Sequence, residues 1–364
     1  MGLVPLSANK KAVGCKWEAG VDFHETFSLV FKPTTIRVVL TLAMKLGWPL
    51  RQLDINNAFL NGDPSEEIYM APRAWFSKLG EFLLMSQFVL AKSDGLLFIR
   101  NTEGVCLYVL MYVDDLIVTG NHQRIIDEFV TTLDTKFSLK DLGPLSYFLG
   151  IEVLPTTKGL FLSQQNYVCD LLKKAKMDQA KGSPTLMVTS TTLSQHVGSA
   201  VENTSDYRSI VGALQYVVIT RPDIVFAINR VCQFMHEPLD QHFNAVKRIL
   251  RYLRNTMDYG LHFTRANSLD LVGYSGADWG TDVDDRRSIT GFCVFLGGNP
   301  IAWGSNKQQV VSRSTAKVEY RGLAHTVSEV VWLESLLFEL HVLPSRKAEV
   351  WYDNSGAVVV SANP

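Results

Sequence analysis

Cysteine is scarce and scattered: Cys15, Cys106, Cys169, Cys232 and Cys293 lie more than fifty residues from one another. There is no CxxC pair and no Cys/His cluster, so neither a zinc site nor a disulfide framework is signalled. An odd number of thiols in a large, ordinary-looking chain reads as reduced and intracellular rather than secreted. A charge excess is also missing. Lys and Arg number 35 against 36 Asp and Glu, so the chain lacks the basic surplus of proteins that grip nucleic acid by its phosphates. Local charge could still serve that end. No apolar run is long enough to cross a bilayer. The opening "MGLVPLSANKKAVG" lacks the apolar core of a signal peptide and is a poor myristoylation match.

What is present is a large hydrophobic fraction, 47% of 364 residues, enough for two or three domains with real cores. "KPTTIRVVLTLAMKLGW" predicts a helix begun by Pro33, with Ile36, Val39, Leu40 and Ala43 at helical spacing. "PLRQLDINNAFLNGD" reads as a strand ending in turn residues Asn61, Gly62 and Asp63. "EGVCLYVLMYVDD" and "LIVTG" form a hairpin candidate, and "QRIIDEFVTTLDTKF" is an amphipathic helix. "LSYFLGIEVL" predicts a strand, and "GLFLSQQNYVCDLLKKAKM" a strand and a helix. Residues 182–206 are rich in Ser, Thr and Gly and read as a linker. Two helical segments follow. From Leu269 onward four short β-type runs appear ("LDLVGYSG", "SITGFCVFLGG", "PIAWGS" and "QQVVS"), then a long helix, the strand "AEVWYD", and the start of another helix.

Asp114 and Asp115 stand side by side in the apolar run "VLMYVDDLIVTG". Plain turn chemistry is one reading. The other is a hairpin tip that presents carboxylates to a hard cation such as Mg²⁺, with further carboxylates completing a two-metal arrangement for phosphoryl transfer. Asp54, at the end of the strand "RQLD", is the candidate third acid, and Phe59 follows five residues later.

"YVDDLIVTG", "QLDINNAFLNGD", "ETFSLVFKPTTIRVVLTLA" and "FSLKDLGPLSYFLGIEVL" resemble the reverse transcriptase of plant copia-type long-terminal-repeat retrotransposons. "YRSIVGALQYVVITRPDIVFAINRVCQFM" is similar to the segment joining that polymerase to its ribonuclease H. "DDRRSITGFCVFLGGNPIAW" and "QQVVSRSTAKVEYRGLAHTVSEVVWLESLLFEL" extend the likeness over nearly the whole chain. The resemblance implies an α+β chain in three parts. These are fingers and palm over 1–181, a linker and helical connection over 182–265, and a C-terminally truncated ribonuclease H-like α/β domain over 266–364. It implies Asp54, Asp114 and Asp115 as the metal-binding catalytic triad for Mg²⁺. Phe59 would be the gate against a ribose 2′-OH, and Tyr112 and Arg73 would be substrate-binding residues. Lys140 would protonate the leaving pyrophosphate, and "YFLG" would be the hairpin that positions the primer end. The implied partners are an RNA template, a DNA primer, an RNA–DNA hybrid and dNTPs. The implied location is an intracellular particle or the nucleus, with no membrane.

For the second site, the resemblance implies Glu319 and Asp353 as catalytic acids. The first acid of that set should follow Ser275, but Gly276 stands there. Asp278 shares its strand face two residues on, about 6–7 Å away, a large shift against a metal–ligand bond. Two further departures are expected to matter. "GCKWEAGVDF" joins directly what the family separates by a long basic stretch after Trp17, and "EEIYM" runs straight into "APRAWF" after Met70. A catalytically inert remnant that at most binds nucleic acid is therefore the alternative. Lys247, Arg248, Arg251 and Arg254 line one helix face, either as a solvated stripe or as a track for a hybrid backbone.

Overall fold

A computed structural model describes residues 32–55, 72–112, 114–188, 193–354, 356 and 358, the side chains of 72–75 excepted. The first helix, α1 (Pro33–Leu46), has Pro at its start and stops at Gly47, whose φ of 69° makes a left-handed cap. It is buried on nearly every side from Thr35 to Ala43.

The main sheet contains β1 (Leu50–Ile55), β2 (Val89–Leu90), β3 (Leu97–Thr102), β4 (Val105–Tyr112), β5 (Asp115–Gly120) and β6 (Leu139–Pro144) in the order β2-β3-β4-β5-β1-β6. α2 (Pro72–Met85) and α3 (Gln123–Phe137) supply the apolar face that covers one side. Leu53, Ile55, Val109, Met111, Leu116 and Val118 meet Leu83 of α2 and Phe129 and Leu133 of α3 in one core.

A second antiparallel sheet runs β10-β9-β8-β7, from β7 (Tyr147–Phe148), β8 (Ile151–Thr156), β9 (Gly159–Ser163) and β10 (Leu261–Thr264). "LSYFLGIEVL" is thus a hairpin and not one strand. Leu149 (φ 49°) and Gly150 (φ 68°) are both left-handed, as a two-residue hairpin turn requires. Gly150 is favoured for a second reason, since an added Cβ would lie 3.1 Å from the Tyr216 ring, which would have to shift. The Tyr216 hydroxyl donates to the Leu149 carbonyl and holds the turn.

α4 (Gln165–Lys174), α5 (Thr204–Val217), α6 (Val225–Cys232) and α7 (Asp240–Asn255) form a helical core around Leu171, Tyr207, Leu214, Val231 and Leu250. The 182–206 stretch is not a free linker. Leu193 is buried in that core, Leu186 and Met187 pack on it, and Asn203 caps α5 by accepting from the N–H of Ser205 and Asp206. The basic stripe has a structural task here. Arg251 donates to the Lys181 carbonyl (2.7 Å), Arg254 to the Asp178 carbonyl (2.9 Å), and Arg248 to the Thr185 hydroxyl. Chain without a ladder of its own needs such donors.

The third sheet, β13-β12-β11-β14, comprises β11 (Leu271–Ala277), β12 (Ile289–Leu296), β13 (Asn299–Lys307) and β14 (Glu349–Trp351), with α8 (Thr315–Glu339) between β13 and β14 in the chain. β14 runs parallel to β11; the other pairs are antiparallel. "QQVVS" is not a strand. Gln308 donates to the Thr290 hydroxyl and the Val318 carbonyl, while Val310 and Val311 stay exposed and join no ladder. β-branched residues favour a sheet only where one is there to pack on. The loop after β11 is locked by buried Asp282, which accepts from Arg230 (3.1 Å) and Lys307 (2.9 Å).

Burial alone would raise the Asp282 pKa. Its hydrogen bonds from Lys307 and from the N–H of Asp284 and Asp285, with the Lys307 charge, bring it down to about 2. A depressed carboxylate stabilises the fold above its unfolded pKa and loses that contribution as pH falls through the folded one. Asp282→Asn is therefore expected to lower stability by roughly 2–3 kcal/mol at pH 7. The deficit should shrink in denaturant melts between about pH 4 and pH 2.

Candidate functional site

β1 lies between β5 and β6, and its register sets Asp54 directly opposite Asp115 on one side and Lys140 on the other. Opposed residues in such pairs have Cβ atoms roughly 4.5–5.5 Å apart. Alternation sends Leu53, Ile55 and Leu116 into the core and leaves Gln52, Asp54 and Asp115 on the opposite face. Asp114 sits at the hairpin tip, and its carbonyl accepts from the Ile55 N–H at 3.0 Å, which ties the tip to the end of β1. Tyr112, half-buried, pairs in register with Asp115. Asp54 thus shares one locality with an acid pair sixty residues further along the chain.

Like charges directly opposed in a sheet repel. Burial, then the charges of Asp114 and Asp54, push the Asp115 pKa up to about 6, against a partly compensating hydrogen bond from Gln52. Gln52 was not singled out by the sequence. Its signal was its position two residues before Asp54 on a period-two strand. Lys140 is exposed beside Asp54. Phe59 lies outside the described residues. Arg73 lies in α2, and its side chain is outside them too.

The donor chemistry, carboxylate oxygens with an excess of negative charge, suits a hard divalent cation. Among the described residues, however, no three His, Cys, Asp or Glu side chains stand as a ready ligand group. Asp54, Asp114 and Asp115 are coupled through their charges without forming a closed coordination shell.

A second acidic locality occurs where α8 crosses the third sheet. Glu319 is 8% exposed. Its Oε1 accepts from the Ala277 N–H at 3.2 Å, and its Oε2 is buried without a hydrogen-bond partner. Burial raises its pKa, and the charges of Asp353 and Asp278 add to the effect. Asp278 is committed to the sheet: its Oδ1 accepts from the Ile289 N–H at 2.7 Å. Asp353 is exposed just beyond β14. At Gly276 an added Cβ would meet nothing within 4 Å.

The family model "Reverse transcriptase (RNA-dependent DNA polymerase)" matches residues 5–72 and 70–189. The chain belongs to the reverse transcriptase family. It is 43% identical over 97% of its length to a retrovirus-related Pol polyprotein from transposon RE2 of Arabidopsis thaliana, covering 26% of that relative. Against the polyprotein from transposon RE1 of the same plant the identity is 42% over 97% of the chain, again 26% of the relative. Against that from transposon TNT 1-94 of Nicotiana tabacum it is 34% over 99% of the chain, 30% of the relative. The chain therefore corresponds to the reverse transcriptase region of a copia-type retrotransposon Pol polyprotein and spans about a quarter of the relatives' length. No helix among the described residues is long and apolar enough to cross a membrane.

A carboxylate whose pKa is raised on folding weakens the fold as pH climbs from its unfolded value through the folded one. Without divalent cations, Asp115→Asn is expected to melt above the parent at pH 8, by about 1–2 kcal/mol in stability. The gap should close near pH 4. A variant no more stable at pH 8 than at pH 4, relative to the parent, would show that the three charges are not coupled.

Proposed function

We propose that the face bearing Asp54, Asp114 and Asp115 carries out RNA-directed DNA synthesis, adding deoxynucleotides to a DNA primer paired with an RNA template. The observation that carries this reading is the register that opposes Asp54 to Asp115 next to the hairpin tip. Bound Mg²⁺ would supply Lewis-acid activation of the primer 3′ oxygen and charge neutralisation on the phosphates. Asp54 and Asp114 would hold it, with Asp115 as the supporting carboxylate. Lys140, opposite Asp54 in the β1–β6 register, would give a proton to departing pyrophosphate. Tyr112 flanks the same tip, and Arg73 and Phe59 are assigned by family likeness to the nucleotide: a cation for its phosphates and a ring against its 2′ position.

The sheet order β13-β12-β11-β14, with parallel β14 reached through α8, supports a ribonuclease H-like reading of residues 266–364. Glu319, Asp278 and Asp353 would be its acids. Gly276 would remove one ligand, and Asp278, about 6–7 Å further along the strand and with its Oδ1 accepting from the Ile289 N–H, would be a poor replacement for it. The family match falls into two stretches that overlap at 70–72, which supports a deletion after Met70, whereas the match runs unbroken across Trp17, where the second deletion rests on the family likeness alone. Such losses would take cations away from the triphosphate and slow synthesis, since phosphoryl transfer depends on positioning and electrostatics.

Primer extension on an RNA template tests the polymerase reading. Extension is expected with Mg²⁺ and should fall at least about a hundredfold in Asp114→Asn. Binding of primer–template without extension would mark an inert remnant instead. For the second site, Gly276→Asp should fold with stability within about 0.5 kcal/mol of the parent, given the open space. The parent itself should leave an RNA–DNA hybrid uncut; cleavage by it would show that the acid set works without a ligand at 276.

A further inference from the structure

Gln52 is a polar side chain with only 4% exposure, on the face that carries the carboxylates. It is the diagonal neighbour of Asp115 on the same face of the β1–β5 pair, within side-chain reach of that carboxylate. Its Oε1 accepts from the Tyr147 N–H at 3.3 Å. The Tyr147 contact orients the amide. The carbonyl oxygen faces an N–H, so the NH₂ faces the carboxylate, as a carboxylate demands of its partner. Tyr147 opens the β7–β8 hairpin, whose turn is pinned from the other side by the Tyr216 hydroxyl on the Leu149 carbonyl. One side chain therefore links the acid site of the main sheet to a hairpin of the second sheet.

We propose that Gln52 is a positioning residue: it holds the Asp115 carboxylate and the Tyr147–Gly150 hairpin in one relative placement, so that ordering of either is felt by the other. A neutral donor suits this place. An acid there would add a further negative charge, and a Lys would neutralise the carboxylate that the site has to keep for a cation. An amide supplies a donor to one side and an acceptor to the other, at no net charge. The inference rests on the assignment of Asp115 to the cation-binding set.

Hydrogen exchange of the segment 145–153 in the whole chain, with and without Mg²⁺, tests it. Mg²⁺ is expected to slow exchange there about fivefold in the parent, the scale of one secured hydrogen bond. Gln52→Met should abolish that response while keeping the cooperative melt. Gln52→Glu gives a second variant in case Met disturbs packing. It keeps an acceptor for the Tyr147 N–H but opposes a carboxylate to Asp115, and it too should lose the response. In primer extension both variants should lower kcat and leave KM for the nucleotide unchanged. The same Mg²⁺ response in parent and variants, or none in the parent, overturns the proposal. A parent that shows the Mg²⁺ response but extends no primer refutes the polymerase reading and leaves the coupling standing.

Discussion

The pairing of β1 with β5 is the constraint on which the site depends. A slip of one residue in a strand moves every side chain to the other face. Here that would turn Asp54 into the core beneath the sheet and move Leu53 and Ile55, exposed by 0% and 2%, out of it onto the face that bears the carboxylates. Burying an unpaired carboxylate is among the most expensive changes a fold can suffer. The acids that repel one another across the strands thus also guard the register that brings them together. The bond from the Ile55 N–H to the Asp114 carbonyl fixes the end of the ladder, where fraying would otherwise begin.

The apolar layer under the strands supplies the free energy that this repulsion consumes. Leu107, Val109, Leu116 and Val118 are fully buried between the sheet and α2 and α3. Burial of one such side chain is worth roughly 1.5–3 kcal/mol, more than the mutual repulsion of partly solvated acids. Electrostatic strain of this kind persists where the surroundings over-determine the geometry. It is ordinarily a mark of a site and seldom of a turn.

Most regular elements were legible because their patterns are long. α3 runs over the fifteen residues marked by its apolar spacing, and α1 begins at its proline. The Asp pair was legible as a hairpin tip, since bulky β-formers flank it. Short signals failed where tertiary context decides. "QQVVS" has strand composition but joins no strand ladder, and the reversal in "YFLG" was legible only through the resemblance, because Leu149, an unusual residue for a left-handed φ, occupies the turn. The arginines of α7 looked like a surface stripe. Only the coordinates show that three of them meet acceptors in 178–185. Gln52 could not be told from any other polar residue on a half-buried strand until its two partners were placed.

The division of the chain near residue 266 is weaker in space than in sequence. The Tyr108 hydroxyl of β4 donates to the Leu340 carbonyl at the end of α8 (2.6 Å), and its ring packs on Trp48. Glu339 accepts from the N–H groups of Lys92 and Ser93, and Trp332 donates to the Ser93 carbonyl. On the other side Arg37 of α1 stacks over Trp303 of β13 at 3.7 Å. Tyr108 lies on the same strand face as Tyr112, four residues from the site, so the C-terminal helix braces the strand that delivers the hairpin tip. The C-terminal part thus has a structural task whatever residue stands at 276. A fold-disrupting change in α8 would reach Asp114 and Asp115 through β4, whereas a charge change at 276, open to space, would not.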